Sequence, residues 1–238
     1  MKLKHRTILI TGGTSGIGKA LAGELQKDNT VIITGRSKEP LEQARRQGLA
    51  TITCDITKRA DIEALVMKLE QEYPELDTLI NNAGVQYNYN LLTASGAHQK
   101  IQHELDTNLS GAMQLTHLLL PLLSTKPSAI VNVTSALGAV PKTDGLVYSA
   151  SKAGLRSFTR GLRKLLRGKD ISVVEVIPPV TDTRMTAGRE EGKMPAGELV
   201  QIILRQWAGG RRLIAPGKIK LLLLIDRFLP GLADKIIR

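Results

Sequence analysis

Cysteine is almost missing from this chain of 238 residues, which has Cys54 and no other. A single thiol excludes an intrachain disulfide framework and a cysteine-built zinc site, and it fits a reducing, cytoplasmic compartment. Aromatic side chains are scarce too, at 3% of the chain with one Trp and two Phe. That is too few for base-stacking platforms, and no reader motif accompanies them, so nucleic acid is not an expected partner. Long apolar runs are also lacking: Leu118–Leu123 and Ile219–Ile225 fall well short of the roughly 20 residues that cross a bilayer. His5, His98, His103 and His117 form no ligand constellation, so they read as structural or surface residues and no metal is expected. The opening MKLKHR runs straight into an apolar segment, which leaves no room for a secretory signal, and the mature protein is expected to start here.

Charge is plentiful but uneven. The formal net charge is +11; residues 152–238 hold 18 basic and 8 acidic side chains, whereas residues 1–151 hold 15 and 14. A basic excess in one third of a chain marks either a surface facing anionic lipid or an acidic ligand, or a solvated face that serves solubility.

Apolar runs at 7–10, 31–34, 50–53, 77–80, 129–133, 171–177 and 212–215 read as strands. Between them, helical periodicity falls at 17–27, 39–47, 58–72, 98–124, 147–167 and 195–208. Strict alternation of this kind implies one α/β domain over 1–238, doubly wound on a mainly parallel seven-stranded sheet, with ligands at the carboxyl ends of the strands. No repeat, linker or low-complexity segment interrupts it.

The first strand runs into Thr11-Gly-Gly-Thr-Ser-Gly-Ile-Gly18 and then a helix. Glycine there lets the backbone take unusual angles and lets a pyrophosphate approach the N–H groups at the helix start. The spacing G-x-x-x-G-x-G differs from the general dinucleotide fingerprint. Further on, Tyr148 and Lys152 stand four residues apart on a helix and share a face. A tyrosine titrates near pH ~10, but an adjacent ammonium favours the phenolate, which makes the pair an acid/base unit. Ser135 ends the strand Ile130–Ser135 and brings a hydroxyl to the carboxyl edge of the sheet.

These motifs, with CDIT around Asp55, Asn81-Asn82-Ala83-Gly84, Asn108 and Pro178–Thr183, follow one another in an order that resembles the classical short-chain dehydrogenases/reductases across residues 6–183. The resemblance implies a Rossmann-type sheet, a nicotinamide dinucleotide, and oxidoreduction of a small-molecule carbonyl/alcohol pair. It implies Tyr148 as the catalytic acid/base, with Ser135 polarising the carbonyl. Lys152 would bind the nicotinamide ribose and lower the tyrosine pKa, and Asn108 would hold a water that links Lys152 to solvent. Cofactor contacts implied in the same way are Gly12, Thr14, Ser15, Gly16, Ile17 and Gly18 in the turn, Asp55 and Ile56 at the adenine, the Asn82, Ala83 and Gly84 backbone at the ribose, and Thr183 at a phosphate. Asn81 is expected to brace the sheet. Subunit contacts through the fourth and fifth helices, giving a homodimer or homotetramer, are implied as well.

Cofactor choice has a local argument. The second strand ends Thr34-Gly35-Arg36-Ser37 with no acid to accept from a ribose 2′-hydroxyl, and Arg36 offers a planar cationic fork suited to a 2′-phosphate, which favours NADP(H). The rival reading is a redox sensor that binds dinucleotide without turnover, and an intact Ser135, Tyr148 and Lys152 counts against it. Two departures from the family pattern stand out. Pro178-Pro179 replaces the usual Pro-Gly, which removes a backbone donor beneath the nicotinamide; it resembles a branch with members named for D-alanine esterification of lipoteichoic acid and assigns no substrate. The polar stretch 184–197 is the candidate lid, and with 86–92 and 137–146 it is expected to wall a pocket for an uncharged or weakly polar ligand. The amphipathic segment 218–238 is read either as a helix packed on the domain or a neighbouring subunit, the preferred alternative, or as an interfacial helix on anionic lipid.

Overall fold

Isoleucine, leucine and valine crowd the strands because both faces of the sheet are covered. In β1 (Thr7–Thr11) the side chains alternate between two cores. Ile8 and Ile10 pack with Leu21, Leu25, Leu199, Ile203 and Trp207. Leu9 packs with Ile62, Leu65, Leu69, Leu115, Leu119 and Leu162 on the other side. A parallel strand buried this way must be apolar at consecutive positions, which is the pattern of its sequence. The computed structural model describes residues 3–188 and 192–237.

The remaining strands are β2 (Thr30–Gly35), β3 (Ala50–Thr53), β4 (Leu76–Asn81), β5 (Ser128–Val133), β6 (Ile171–Val176) and β7 (Leu213–Ile214). Their order in the sheet is β3-β2-β1-β4-β5-β6-β7 and every pairing is parallel. Helices α1 (Gly16–Leu25), α2 (Lys38–Arg46) and α7 (Ala196–Ala208) line one face, and α3 (Arg59–Glu72), α5 (Gly111–Leu123) and α6 (Leu146–Leu165) the other. The winding reverses between β1 and β4, so a crevice opens at the carboxyl ends of those two strands. The doubly wound, Rossmann-type sheet is therefore as expected.

Two elements differ from the periodicity. The single helix expected over 98–124 is instead α4 (Ala97–Leu105), a π-helical turn Asp106–Ser110, and α5. Asn108 in that turn is drawn to the backbone of Val85, and a Cβ on Gly111 would collide with the Ile56 carbonyl, so the chain takes one wider turn to bring both into register. The C-terminal segment forms two helices, α8 (Ile219–Phe228) and α9 (Pro230–Ile236), with Pro230 opening the second, where its missing N–H costs nothing. Leu222 and Ala233 pack on Ala136, Val140 and Ile177, so docking on the domain, the preferred reading, describes one face of this pair.

Candidate active site

Gly12 and Gly16 in the turn between β1 and α1 hold φ of 65° and 53°, a left-handed conformation that other residues avoid. The turn is packed against the chain leaving β4. A Cβ on Gly12 would lie 2.9 Å from the Ala83 Cα, and one on Gly18 would collide with the Asn82 amide and the Gly12 carbonyl. Hydrogen bonds lock the two strand ends together. Thr11 Oγ1 accepts from the backbone N–H groups of Asn82 and Ala83, both at 3.0 Å. Asn82 Nδ2 donates to the carbonyls of Thr11 (3.0 Å) and Gly12 (3.1 Å). Asn82 therefore braces the turn with its side chain, a role the sequence did not reveal. Ser15 caps α1 without a side-chain hydrogen bond, so its hydroxyl does not occupy the first-turn N–H groups of the helix. The Thr183 side chain lies across this point, 3.1 Å from where a Cβ on Gly16 would sit.

At the other end of the crevice, β2 delivers Arg36 to an exposed position. Thr14 lies beside it, with Cγ2 3.2 Å from the position of a Cβ on Gly35. The Arg36 Nη1 is 3.1 Å from His103 Nε2, and His103 Nδ1 is 2.8 Å from the Tyr87 hydroxyl. A guanidinium only donates, so His103 accepts at Nε2, carries its proton on Nδ1 and donates that to Tyr87. His103, by sequence a structural or surface residue, is thus bonded to Arg36 on one side and Tyr87 on the other. Asp55, after β3, accepts at Oδ1 from the Thr57 backbone N–H (3.1 Å) and hydroxyl (2.8 Å). Burial works to raise its pKa, but those bonds, with Lys58 and Arg36 nearby, outweigh it and hold the carboxyl below its ordinary value. Ile56 beside it is nearly buried.

The chemistry-bearing side chains gather where β4 and β5 end. Ser135 caps the short 3-10 turn Ala136–Gly138 and its Oγ accepts from the Leu137 N–H at 3.2 Å, which leaves its own hydrogen to donate. Tyr148 and Lys152 project from one face of α6, 7% and 4% exposed. Lys152 Nζ donates to the Val133 carbonyl at 3.0 Å and stands 5.8 Å from the centre of the Tyr148 ring. Burial brings the Lys152 pKa down to about 8. Gly138 is what lets the serine turn reach α6, since a Cβ there would lie 2.7 Å from the Lys152 backbone carbon. The sequence offered no signal for that glycine.

Asn108 joins the group through the π turn. Its Oδ1 accepts from Val85 N–H and its Nδ2 donates to the Val85 carbonyl, each at 2.8 Å, and to Ser151 Oγ at 3.1 Å. Gly84 sits between Asn108 and Lys152, its Cβ position 3.2 Å from Asn108 Oδ1 and 3.5 Å from Lys152 Nζ. Asn81 donates to Asn132 Oδ1 (2.8 Å) and Thr116 Oγ1 (3.0 Å), bracing β4 on β5 and α5 as expected.

The segment after β6 shows how Pro179 is accommodated. The Pro179 carbonyl accepts from the Thr181 hydroxyl at 2.8 Å, and Thr181 pairs with Met194 in a parallel bridge. Met194 N–H donates to Val180 and Asp182 N–H to Met194, so the turn is held from the side by the strand fragment that precedes α7. The stretch read as a lid, 184–197, contains a 3-10 turn at Arg184–Thr186, the Met194 bridge and the start of α7 at Ala196; its residues 189–191 lie outside the described residues. Two of the expected pocket walls meet where Tyr89 N–H donates to the Asp144 carbonyl at 2.9 Å.

Known proteins resemble this chain in sequence and fold. The chain is 40% identical over 187 residues, 77% of its length and 74% of the relative's, to an uncharacterized oxidoreductase, DltE, of Bacillus subtilis (strain 168). It is 36% identical over 199 residues, 81% of its length and 78% of the relative's, to a serine 3-dehydrogenase of Agrobacterium fabrum. A short-chain dehydrogenase from Sphingobium yanoikuyae, solved in complex with NADPH, superposes with a TM-score of 0.82 at 25% identity, covering 96% of this chain and 95% of that one. The family model described as short chain dehydrogenase matches residues 6–194, from just before β1 to beyond Thr183 and through every motif described above, and the chain belongs to that family.

Proposed function

We propose that this oxidoreductase interconverts a carbonyl and an alcohol with NADP(H), through Ser135, Tyr148 and Lys152. The observation that carries the reading is the burial of Lys152 beside Tyr148 and the Val133 carbonyl, one short turn from Ser135. Burying an ammonium opposes folding, so a site that keeps one there with no carboxylate partner among the described residues is built for a purpose other than stability. That weighs against a sensor without turnover.

The residues fit the dinucleotide. Unblocked N–H groups at the start of α1 and the glycines under them suit the pyrophosphate. Arg36 suits the 2′-phosphate, as a bidentate donor with no acid beside it at the end of β2. Bound there, the nicotinamide supplies the hydride in reduction and accepts it in oxidation. In reduction the Ser135 hydroxyl donates a hydrogen bond to the substrate oxygen and orients it. Tyr148 donates its phenolic proton to that same oxygen as negative charge develops, and the Lys152 ammonium stabilises the phenolate left behind. Proton return runs toward Lys152 from the side of Asn108 and Gly84, where Asn108 is proposed to anchor a water. The names of the relatives support this chemistry: one is a serine dehydrogenase, and another was solved with NADPH. A homodimer or homotetramer remains the assembly we propose.

The test is a screen of carbonyl compounds and alcohols with both nicotinamide cofactors, followed by absorbance of the reduced cofactor. Tyr148→Phe should abolish turnover of an identified substrate and keep NADPH affinity within a few-fold of the parent. Wild-type turnover by that variant would show the mechanism to be wrong.

A further inference from the structure

Each of the two closing helices carries an uncovered apolar stripe. Leu221, Leu224 and Phe228 on α8 follow the spacing i, i+3, i+7, and Leu229 at the junction repeats it with Leu232 and Ile236 on α9; all six are between 47% and 71% exposed. These positions lie off the faces by which Leu222 and Ala233 pack on the domain. Exposed cations flank them: Lys218, Lys220, Arg227 and Lys235, against Asp226 and Asp234. The Arg227 guanidinium lies 5.5 Å from the Phe228 ring, so charge and apolar surface share one edge. Among the described residues no helix is long and apolar enough to cross a membrane.

We propose that α8 and α9 form a docking surface that seats the protein on an anionic lipid bilayer, lying in its plane. The chemistry matches on both counts: side chains of Leu, Ile and Phe enter the boundary between headgroups and acyl chains, and lysines and an arginine meet the negative headgroups. Charge decides between this occupant and a second copy of the chain. Two copies of a protein of net charge +11, joined through this face, would set Lys220 and Arg227 against their like, whereas an anionic surface neutralises them. The buried sides of the same helices cover Ala136, next to Ser135, and Ile177, next to Pro178, so docking holds the candidate site close to the lipid. This proposal stands on the helix pair alone and does not need the reaction assigned above.

The experiment is cosedimentation of the full chain with phosphatidylcholine vesicles, with and without phosphatidylserine, at low and high salt. Binding to the phosphatidylserine vesicles is expected, weakening as salt rises. The Lys220→Glu/Arg227→Glu protein should bind at least about 25-fold more weakly, since each basic side chain near an anionic surface contributes about a fivefold factor. The Leu224→Ser/Phe228→Ser protein should lose binding, while NADPH affinity and the circular dichroism spectrum, read in parallel, stay unchanged. Absence of binding to phosphatidylserine vesicles, equal binding to neutral ones at every salt concentration, or wild-type binding by both variants would each overturn the proposal. So would a serine variant that only changes the oligomeric state, because a second copy would then be what covers the face.

Discussion

Gly138→Ala is expected to injure catalysis by forcing the serine turn away from α6. The added Cβ would lie 2.7 Å from the Lys152 carbonyl carbon, 2.8 Å from Ala153 N and 2.9 Å from Lys152 O. All three are backbone atoms of α6, so no side chain can swing aside, and the Ala136–Gly138 turn must retreat by several tenths of an ångström. Overpacking of that kind costs about 1–3 kcal/mol, and at about 2–4 °C per kcal/mol for a chain of this size the melting temperature should fall by a few degrees. Ser135 caps the displaced turn, so its hydroxyl moves relative to Tyr148. A misplacement near 1 Å can cost about a hundredfold in rate, and the smaller shift here should lower kcat by roughly tenfold. The glycine turn proposed to hold the cofactor lies elsewhere, so the Kd for NADPH should stay within about twofold. Gly23→Ala supplies the control: nothing lies within 4 Å of a Cβ at that position in α1, and the change should stabilise by about 0.5–1 kcal/mol without altering kcat. The assays are thermal denaturation, calorimetric NADPH binding and steady-state kinetics. A Gly138→Ala protein with parental kcat and melting temperature would refute the reasoning that this glycine sets the spacing of the site.

Other consequences follow from the same geometry. Arg36→Ala should weaken NADP(H) binding by about 1.5–3 kcal/mol, the worth of a charge-assisted bond, and leave NAD(H) nearly unchanged; equal loss for both cofactors in calorimetry would contradict the assignment. His103→Ala should weaken NADP(H) a few-fold when Arg36 is present and have no effect when Arg36 is already alanine; simple additivity would mean that His103 does not support Arg36. Lys152→Met should abolish turnover and stabilise the fold at neutral pH. A buried lysine with its pKa down to about 8 opposes folding fully below that pH, and the penalty lifts as pH rises from about 8 toward 10.5, where the unfolded chain still holds the proton that the folded one has released. The gain from Lys152→Met should thus approach about 3 kcal/mol at pH 7 and shrink at pH 9.5; denaturant unfolding that gives the same difference at both pH values would rule out burial as the cause.

What could be read from the sequence was whatever is local. Strands buried on both faces betray themselves as short apolar runs, and Ile8, Leu9 and Ile10 face alternate cores in consecutive positions. Tyr148 and Lys152 share a helix face because they are four residues apart, and the Thr11–Gly18 turn is defined by neighbours in the chain. The π turn at Asp106–Ser110 is not legible in the sequence because one widened turn is too small a change to disturb a hydrophobic period measured over several turns. Its cause lies in Val85 and Ile56, which touch Asn108 and Gly111 only in the folded chain.

The order of residues therefore determined a parallel α/β sheet, a glycine-rich turn after the first strand, a tyrosine-lysine pair and a basic C-terminal third. Tertiary structure decided the rest. His103 reaches Arg36 across 67 positions of sequence, Asn82 meets the glycine turn across 71 and 70, and Gly138 matters only because the Lys152 backbone passes beside it. For the closing segment the sequence allowed a helix packed on protein or a helix resting on lipid. The fold brings Leu222 and Ala233 against the domain and leaves Leu224 and Phe228 facing outward. Periodicity can record that a helix has an apolar side, but only the surface it lands on determines how much of that side is covered.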